Sequence, residues 1–182
     1  MNDTIPTPKN EGARLAELES YGILDTMPEQ EYDDIARLAA HICETSMSTV
    51  ALLDSHRKWH KAKFGVEKES VPRHMSICSH TILGEDPLIV FDTLEHQVFR
   101  TIGMVVNPPH VRFYAGVPLI NPNRHALGTL CVIDTKPNTL NAFQIETLNV
   151  LARQVVTLLE LRRTTTELTA VREAEKPTQA HA

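Results

Sequence analysis

The stretch His110–Asp134, HVRFYAGVPLINPNRHALGTLCVID, decides the fold. Two apolar runs flank Asn121-Pro122-Asn123. Proline fixes φ and asparagine tolerates left-handed backbone, so the segment reads as a β-hairpin. Arg112, Tyr114, Thr129 and Cys131 form a polar minority in this apolar frame. A strand pair of that kind is expected to floor a pocket rather than only fill a core. Arg112 and Tyr114 alternate with Val111, Phe113 and Ala115, which assigns both to one strand face.

Working outward, residues 1–10 are polar with two prolines and are expected to be disordered. Glu11 to Tyr21 carries a short helical pattern stopped by Gly22. Thr26-Met27-Pro28-Glu29 matches a capping box, followed by a helix with Tyr32, Ile35, Ala39, Ile42 and Cys43 on one stripe. Thr49 to Leu53 reads as a buried strand, and Asp54-Ser55-His56 turns it into a second strand from Lys58 to Phe64. Ser76 to Leu83 predicts a two-turn helix, and Leu88 to Phe91 a short strand. A loop-rich stretch fills Thr93 to Pro109, a length more often functional than accidental in a compact domain. After the hairpin, Asn141 and Gln144 cap a long helix through Leu148, Leu151, Val155, Leu158 and Leu161. Helices at both ends and at least five hairpin-linked strands define an α+β class, a sheet covered by helices.

Composition narrows the partners. With 42% hydrophobic and 23% charged residues the 182-residue chain is ordinary for one globular domain. A net charge of -5 argues against nucleic acid. The local cationic run Arg57–Lys63 is expected to be a solvated edge-strand face, its lysines guarding against edge pairing. No stretch is long and apolar enough for a membrane span, no signal peptide opens the chain, and three widely spaced cysteines suit a reducing compartment. The expectation is a cytoplasmic protein without membrane or nucleic-acid partners.

Four segments together resemble a GAF domain: GARLAELESYGILDTMPEQEYDDIARLAAHIC, MSTVALLDSHRKWHKAKFGV, HMSICSHTILGEDPLIVFDT and the hairpin itself. They are most similar to the GAF subgroup at the N-terminus of bacterial sensor histidine kinases and diguanylate cyclases, over about Gly12 to Leu161. The resemblance implies five or six antiparallel strands, terminal helices packed on one face, and a small-molecule pocket on the other. The region Thr101–Val106 departs from the polar loop that the family pattern leads one to expect. The division that follows is a tail at 1–10, a sensory domain at 11–162, and a polar helix end and tail at 163–182.

Candidate ligand-binding residues are Arg112, Tyr114, Trp59, Cys78, His80, Asp92 and Thr129. A guanidinium beside a phenol suits a carboxylate, phosphate or planar ring, although Arg112 could equally pair with a nearby acid. Trp59 could stack a heterocycle or cover the sheet edge. Asp92 could accept from a ligand amine, with a turn or cap role as the stronger reading. Cys78 shares a stripe with Ile77 and Ile82 and is expected to be a small core residue, with His80 at the pocket rim. His74 and Cys78 at i, i+4 could start a metal site, but no second pair at metal spacing follows, so no metal is expected.

The family resemblance raises two chemistries, a bilin attached to a cysteine and a cysteine-dependent reduction of free methionine sulfoxide. The first wants histidine directly after cysteine, whereas here the order is Cys78-Ser79-His80. The second could use Cys78 with Cys131 as resolving thiol, but the Gly-rich cysteine loops of that family are missing. The expectation is therefore no catalytic residue, no enzyme activity and no cofactor beyond an unidentified small molecule. In the resembling proteins the last helix hands the ligand state to a kinase or cyclase partner. The expectation is a stand-alone sensor, homodimeric through its terminal helices, with a pure dimerisation or interaction module as the alternative.

Overall fold

The computed structural model describes residues 6–174, so expectations for 1–5 and 175–182 lie outside the described residues. The hairpin forms as β5 (Phe113–Ile120) and β6 (Ala126–Asp134). Asn121 closes its turn: its Oδ1 accepts the His125 N–H at 2.8 Å, while Arg124 takes the left-handed conformation at φ +63. The same Asn121 donates through Nδ2 to Glu17 Oε1 at 2.7 Å, which ties the hairpin tip to α1 (Glu11–Ser20).

Strand β1 (Met47–Leu53) pairs with β6 on one side and β2 (Arg57–Phe64) on the other. Asp54 drives the tight reversal between β1 and β2, its carboxylate accepting the His56 and Arg57 amides at 2.8 Å each. Beyond β2 lies β3 (Ser70–Pro72), and beyond β5 lies β4 (Leu88–Val90). The sheet has six strands in the order β3-β2-β1-β6-β5-β4, every neighbour antiparallel. This is the expected α+β architecture.

Alternation along the strands splits the core in two. Val50, Leu52, Trp59, Phe113, Ala115, Val117, Leu119 and Val132 face the helices. There they meet Leu18 of α1, Tyr32, Ala36 and Ala39 of α2 (Gln30–Ile42), and Leu148, Val155 and Leu159 of α5 (Ala142–Ala174). The opposite face carries Met47, Leu53, Tyr114, Cys131 and Ile133. It is roofed by α3 (Cys78–Thr81), α4 (Gly103–Val106) and the intervening loops through Ile77, Ile82, Phe99, Ile102 and Val105. The apolar departure at Thr101–Val106 is thus the underside of that roof. Each fully buried Leu, Ile or Phe contributes roughly 1.5–3 kcal/mol.

Local expectations fared unevenly. The Asn141/Gln144 capping box forms in both directions, at 3.0 and 2.9 Å. The one at Thr26–Glu29 does not: α2 begins at Gln30 with no side-chain cap. Thr26 Oγ1 donates to the Ile23 carbonyl instead, and the Glu29 carboxylate is drawn away to Lys61 and Arg162. The two-turn helix expected over 76–83 shrinks to the single turn of α3, preceded by a 3₁₀ turn at Arg73–Met75.

Candidate functional site

The cationic strand is not a solvated face. Lys58, Trp59, His60 and Lys61 are all buried: α2 covers one face of β2, the Arg73–Met75 turn packs against the strand, and β3 pairs its outer edge. Alternation sends them to opposite sides. Trp59 joins the helix-side core, so it does not line the roofed face as a stacking platform. Lys61 also lies on the helix side, where its ammonium meets Glu29 Oε1 at 2.5 Å, Thr26 Oγ1 at 2.9 Å and the Met27 carbonyl at 2.7 Å. That cation is fully satisfied.

Lys58 is the opposite case. It pairs across from Leu53 of the roofed face, and the partner found for its Nζ among the described residues is Cys131 Sγ at 3.7 Å. Cys78 Sγ lies 3.9 Å from Cys131 Sγ. Tyr114 donates its hydroxyl to Cys78 Sγ at 3.3 Å and meets Thr81 Oγ1 at 2.7 Å. Thr49 Oγ1 is 3.1 Å from Cys131 Sγ. Sheet register explains the convergence: Thr49 pairs with Cys131, Cys131 with Gly116, and Tyr114 lies one same-face step from Gly116. Glycine at 116 is required, since a Cβ there would overlap the Tyr114 phenol. The ring folds across the strand and fills the space under α3.

The electrostatics follow from burial. Burial raises a thiol, yet at Cys78 the hydrogen bond with Cys131 and the Lys58 charge outweigh it and hold the group well below its ordinary range. At Cys131 the hydrogen bond with Cys78 and burial push the thiol up. Burial would lower Lys58, but the two sulfurs hold it above its usual value. The ammonium and a thiolate on the pair thus favour each other's charged forms. Cys43, alone in the helix-side core, is pushed up to about 11 by burial. Three cysteines in one chain therefore occupy two chemical situations.

His60 borders the cluster. Its Nδ1 bonds the Lys68 carbonyl at 2.8 Å, its Nε2 has no partner among the described residues, and burial with the Lys58 charge lowers its pKa to about 3. Between about 3 and the ordinary 6.5 the unfolded chain binds a proton that the folded chain refuses. His60 therefore contributes stability fully present above that window and lost as pH falls through it. His60→Gln is expected to flatten this segment of a stability–pH curve measured by urea denaturation; an unchanged slope would refute the assignment.

The remaining candidates scatter. Arg112 forms a two-pronged pair with Asp92, Nε to Oδ1 at 2.8 Å, and Asp92 also accepts the Leu94 amide at 3.0 Å. That is the acid-paired reading of Arg112 and the turn role of Asp92. The pair is partly exposed, whereas Tyr114 is sealed, so the expected guanidinium–phenol wall does not assemble. His80 stacks edge-on to Phe99 at 5.0 Å, its Nδ1 buried and without a partner among the described residues. Thr129 is fully buried on the roofed face; among the described residues its Oγ1 makes no regular hydrogen bond, although it lies near enough to Cys78 to favour the thiolate. Lys58, Thr49 and Thr81 went unseen in the sequence. Period-two alternation in Arg57–Lys63 would have found Lys58, had β3 been recognised.

The GAF domain family matches residues 28–159, and the chain belongs to that family. Over 163 residues it is 32% identical to a cyclic di-GMP phosphodiesterase of Pseudomonas aeruginosa, an alignment covering 89% of this chain. The chain spans 28% of the length of that curated relative. Among solved structures, the blue-light absorbing form of the Thermosynechococcus elongatus PixJ GAF domain superposes with a TM-score of 0.66 at 12% identity, covering 91% of this chain and 98% of that one. Free methionine-R-sulfoxide reductase from Neisseria meningitidis, in complex with its substrate, gives 0.61 at 16% identity, covering 83% and 89%. At such identities the likeness is one of fold.

These findings correct one expectation. The sequence reading excluded enzyme activity, whereas the curated relative carries a phosphodiesterase name and the fold is shared with a reductase. The exclusion rested on the missing glycine-rich cysteine loops and on the apolar patterns around Cys43 and Cys131. The chain is a GAF signalling domain, and among its described residues no helix is long and apolar enough to cross a membrane.

Proposed function

We propose that this domain senses a small molecule on the roofed face of the sheet and relays its state through α5 to a cyclic di-GMP-processing or kinase partner. One observation carries the reading: a buried ammonium and a hydrogen-bonded chain of thiols, phenol and hydroxyls occupy a face where packing alone needs only apolar groups. The unpartnered Thr129 Oγ1 and His60 Nε2 are groups that a polar ligand would satisfy. Lys58 would hold its anionic part, Tyr114 and Cys78 would swing with the roof, and Arg112–Asp92 and His80 would border the opening. The name of the Pseudomonas relative supports cyclic di-GMP turnover as the output. Leu161, Leu168 and Val171, exposed on α5, support homodimerisation through this helix. Ligand and dimer act together by population shift.

A thermal-shift screen of metabolites, with sedimentation of the same samples, tests this. A ligand at a hundredfold excess over its Kd stabilises by about 2.7 kcal/mol. At least one compound should raise the wild-type Tm and lose that effect in Thr129→Val and Lys58→Met. Sedimentation should give a dimer that Leu168→Glu dissociates. A filled-pocket dimerisation module is the second reading, favoured by the complete burial of Tyr114; it predicts the dimer without any thermal shift.

A further inference from the structure

We propose that Cys78 and Cys131 form a hydroperoxide-reactive dithiol whose thiolate is held by Lys58. The inference deepens the sensory reading of the same face, naming a chemical input, and can fail without it.

Among the described residues no carboxylate pairs with the buried Lys58 ammonium, which demands a counter-anion because an isolated charge in the interior costs several kcal/mol. Lys58 lies 3.7 Å from Cys131 Sγ, and Cys78 Sγ lies 3.9 Å from that sulfur. The ionisable groups facing it are Cys78 from α3, Cys131 from β6, Tyr114 from β5 and His60 from β2 itself. Tyr114 is the weaker acid and His60 carries no negative charge, so the anion resides on the sulfurs. Hydroxyls of Tyr114 and Thr49 meet one sulfur each and stabilise sulfur-centred charge. A thiolate beside a second thiol, under a fixed cation, has the electrostatics of a peroxide-reacting pair; because both sulfurs are fully buried, the roof has to open to admit the peroxide.

The chemistry balances. The Cys78 thiolate attacks a hydroperoxide, the O–O bond breaks, and one oxygen joins Sγ as a sulfenic acid. The alcohol or water that leaves takes its proton from the Lys58 ammonium. Cys131 then attacks that sulfur, an S–S bond forms, the S–O bond breaks, and water leaves with the thiol proton. Two thiol sulfurs are oxidised, the hydroperoxide is reduced, and Lys58 ends neutral. The separation of 3.9 Å must close to about 2.05 Å. Closure pulls the one-turn α3 onto the sheet and takes from Tyr114 its acceptor, so the roof is the part that moves.

Cys43 serves as an internal reference. Native protein treated with equimolar hydrogen peroxide and mapped by mass spectrometry should yield a peptide pair joined through Cys78 and Cys131, with Cys43 still reduced. Lys58→Met should slow the reaction roughly tenfold or more by removing the charge that holds the thiolate. Should that variant not fold, the wild-type rate across neutral pH decides: a flat profile fits a standing thiolate, and a rate that climbs steadily with pH does not. Cys43 reacting as fast as the pair, or the linked peptide appearing only after denaturation, would overturn the inference. A metabolite that still raises the Tm of a peroxide-inert protein would leave the sensory reading intact.

Discussion

Removal of the Glu11 carboxylate is expected to destabilise the fold by about 3–5 kcal/mol. Glu11 joins two guanidiniums that are both 1% exposed: Arg14 through two bonds of 2.8 Å, and Arg73 through Nη1 at 2.5 Å. Glu11→Ala leaves two positive charges in the interior facing only the carbonyls of Ala126 and Asp54. Among the described residues the Nε and Nη2 of Arg73 already lack partners, so none of these is in reserve. Urea denaturation should show the full loss, and a deficit below about 1 kcal/mol would place the pair among weak surface bridges. Acid offers a second reading. Burial raises the carboxyl, but Arg14 and Arg73 outweigh it and set the pKa at about 2 against an ordinary 4.5. The contribution is thus complete above about 4.5 and lost as pH falls through about 2. The acid limb of the stability curve should flatten in Glu11→Ala.

A comparable effect is expected from a single methyl group at Gly128. A Cβ at this position would overlap the carbonyl oxygen of Ala51 and sit 2.9 Å from both Ala51 C and Leu52 Cα. These are backbone atoms of β1 at the centre of the sheet, with no rotamer to absorb the intrusion. Gly128→Ala is expected to cost about 3 kcal/mol, at the upper end of overpacking penalties. Gly12→Ala, whose added Cβ meets nothing within 4 Å, is the control that should remain near wild type. Equal melting temperatures for the two variants would show that β1 and β6 can separate at no cost.

How much of this was legible beforehand depended on whether a feature was local. The β5–β6 hairpin, the Asp54 turn and the Asn141 cap are written in neighbouring residues, and each formed as read. Strand β3 has only three residues and ends on Pro72, too little for any periodic signal. Missing it turned β2 into an edge, and the lysines of β2 into solvent-facing guards. The capping box at Thr26 failed for the same kind of reason, since Lys61 and Arg162 compete for Glu29 from far along the chain. The thiol pair is 53 residues apart in sequence, and only the docking of α3 on the β6 face of the sheet brings it together. Arg112 was legible as a residue with two roles, and the decision fell to Asp92 across a long loop.

The last helix has a mechanical consequence. Near its middle, Arg163 bonds Glu17 at 3.1 Å, Arg162 bonds Glu29 at 2.7 Å, and Glu160 meets Tyr21. These bonds anchor α5 to both N-terminal helices, while the residues from Thr164 to Ala174 stand free of the body. With about 1.5 Å of rise per residue, that free arm is roughly 16 Å long. The anchors act as a fulcrum: a tilt of about 10° at the sheet would swing the far end by about 3 Å. A tilt of that size would thus be read at Ala174 as a displacement comparable with a side chain.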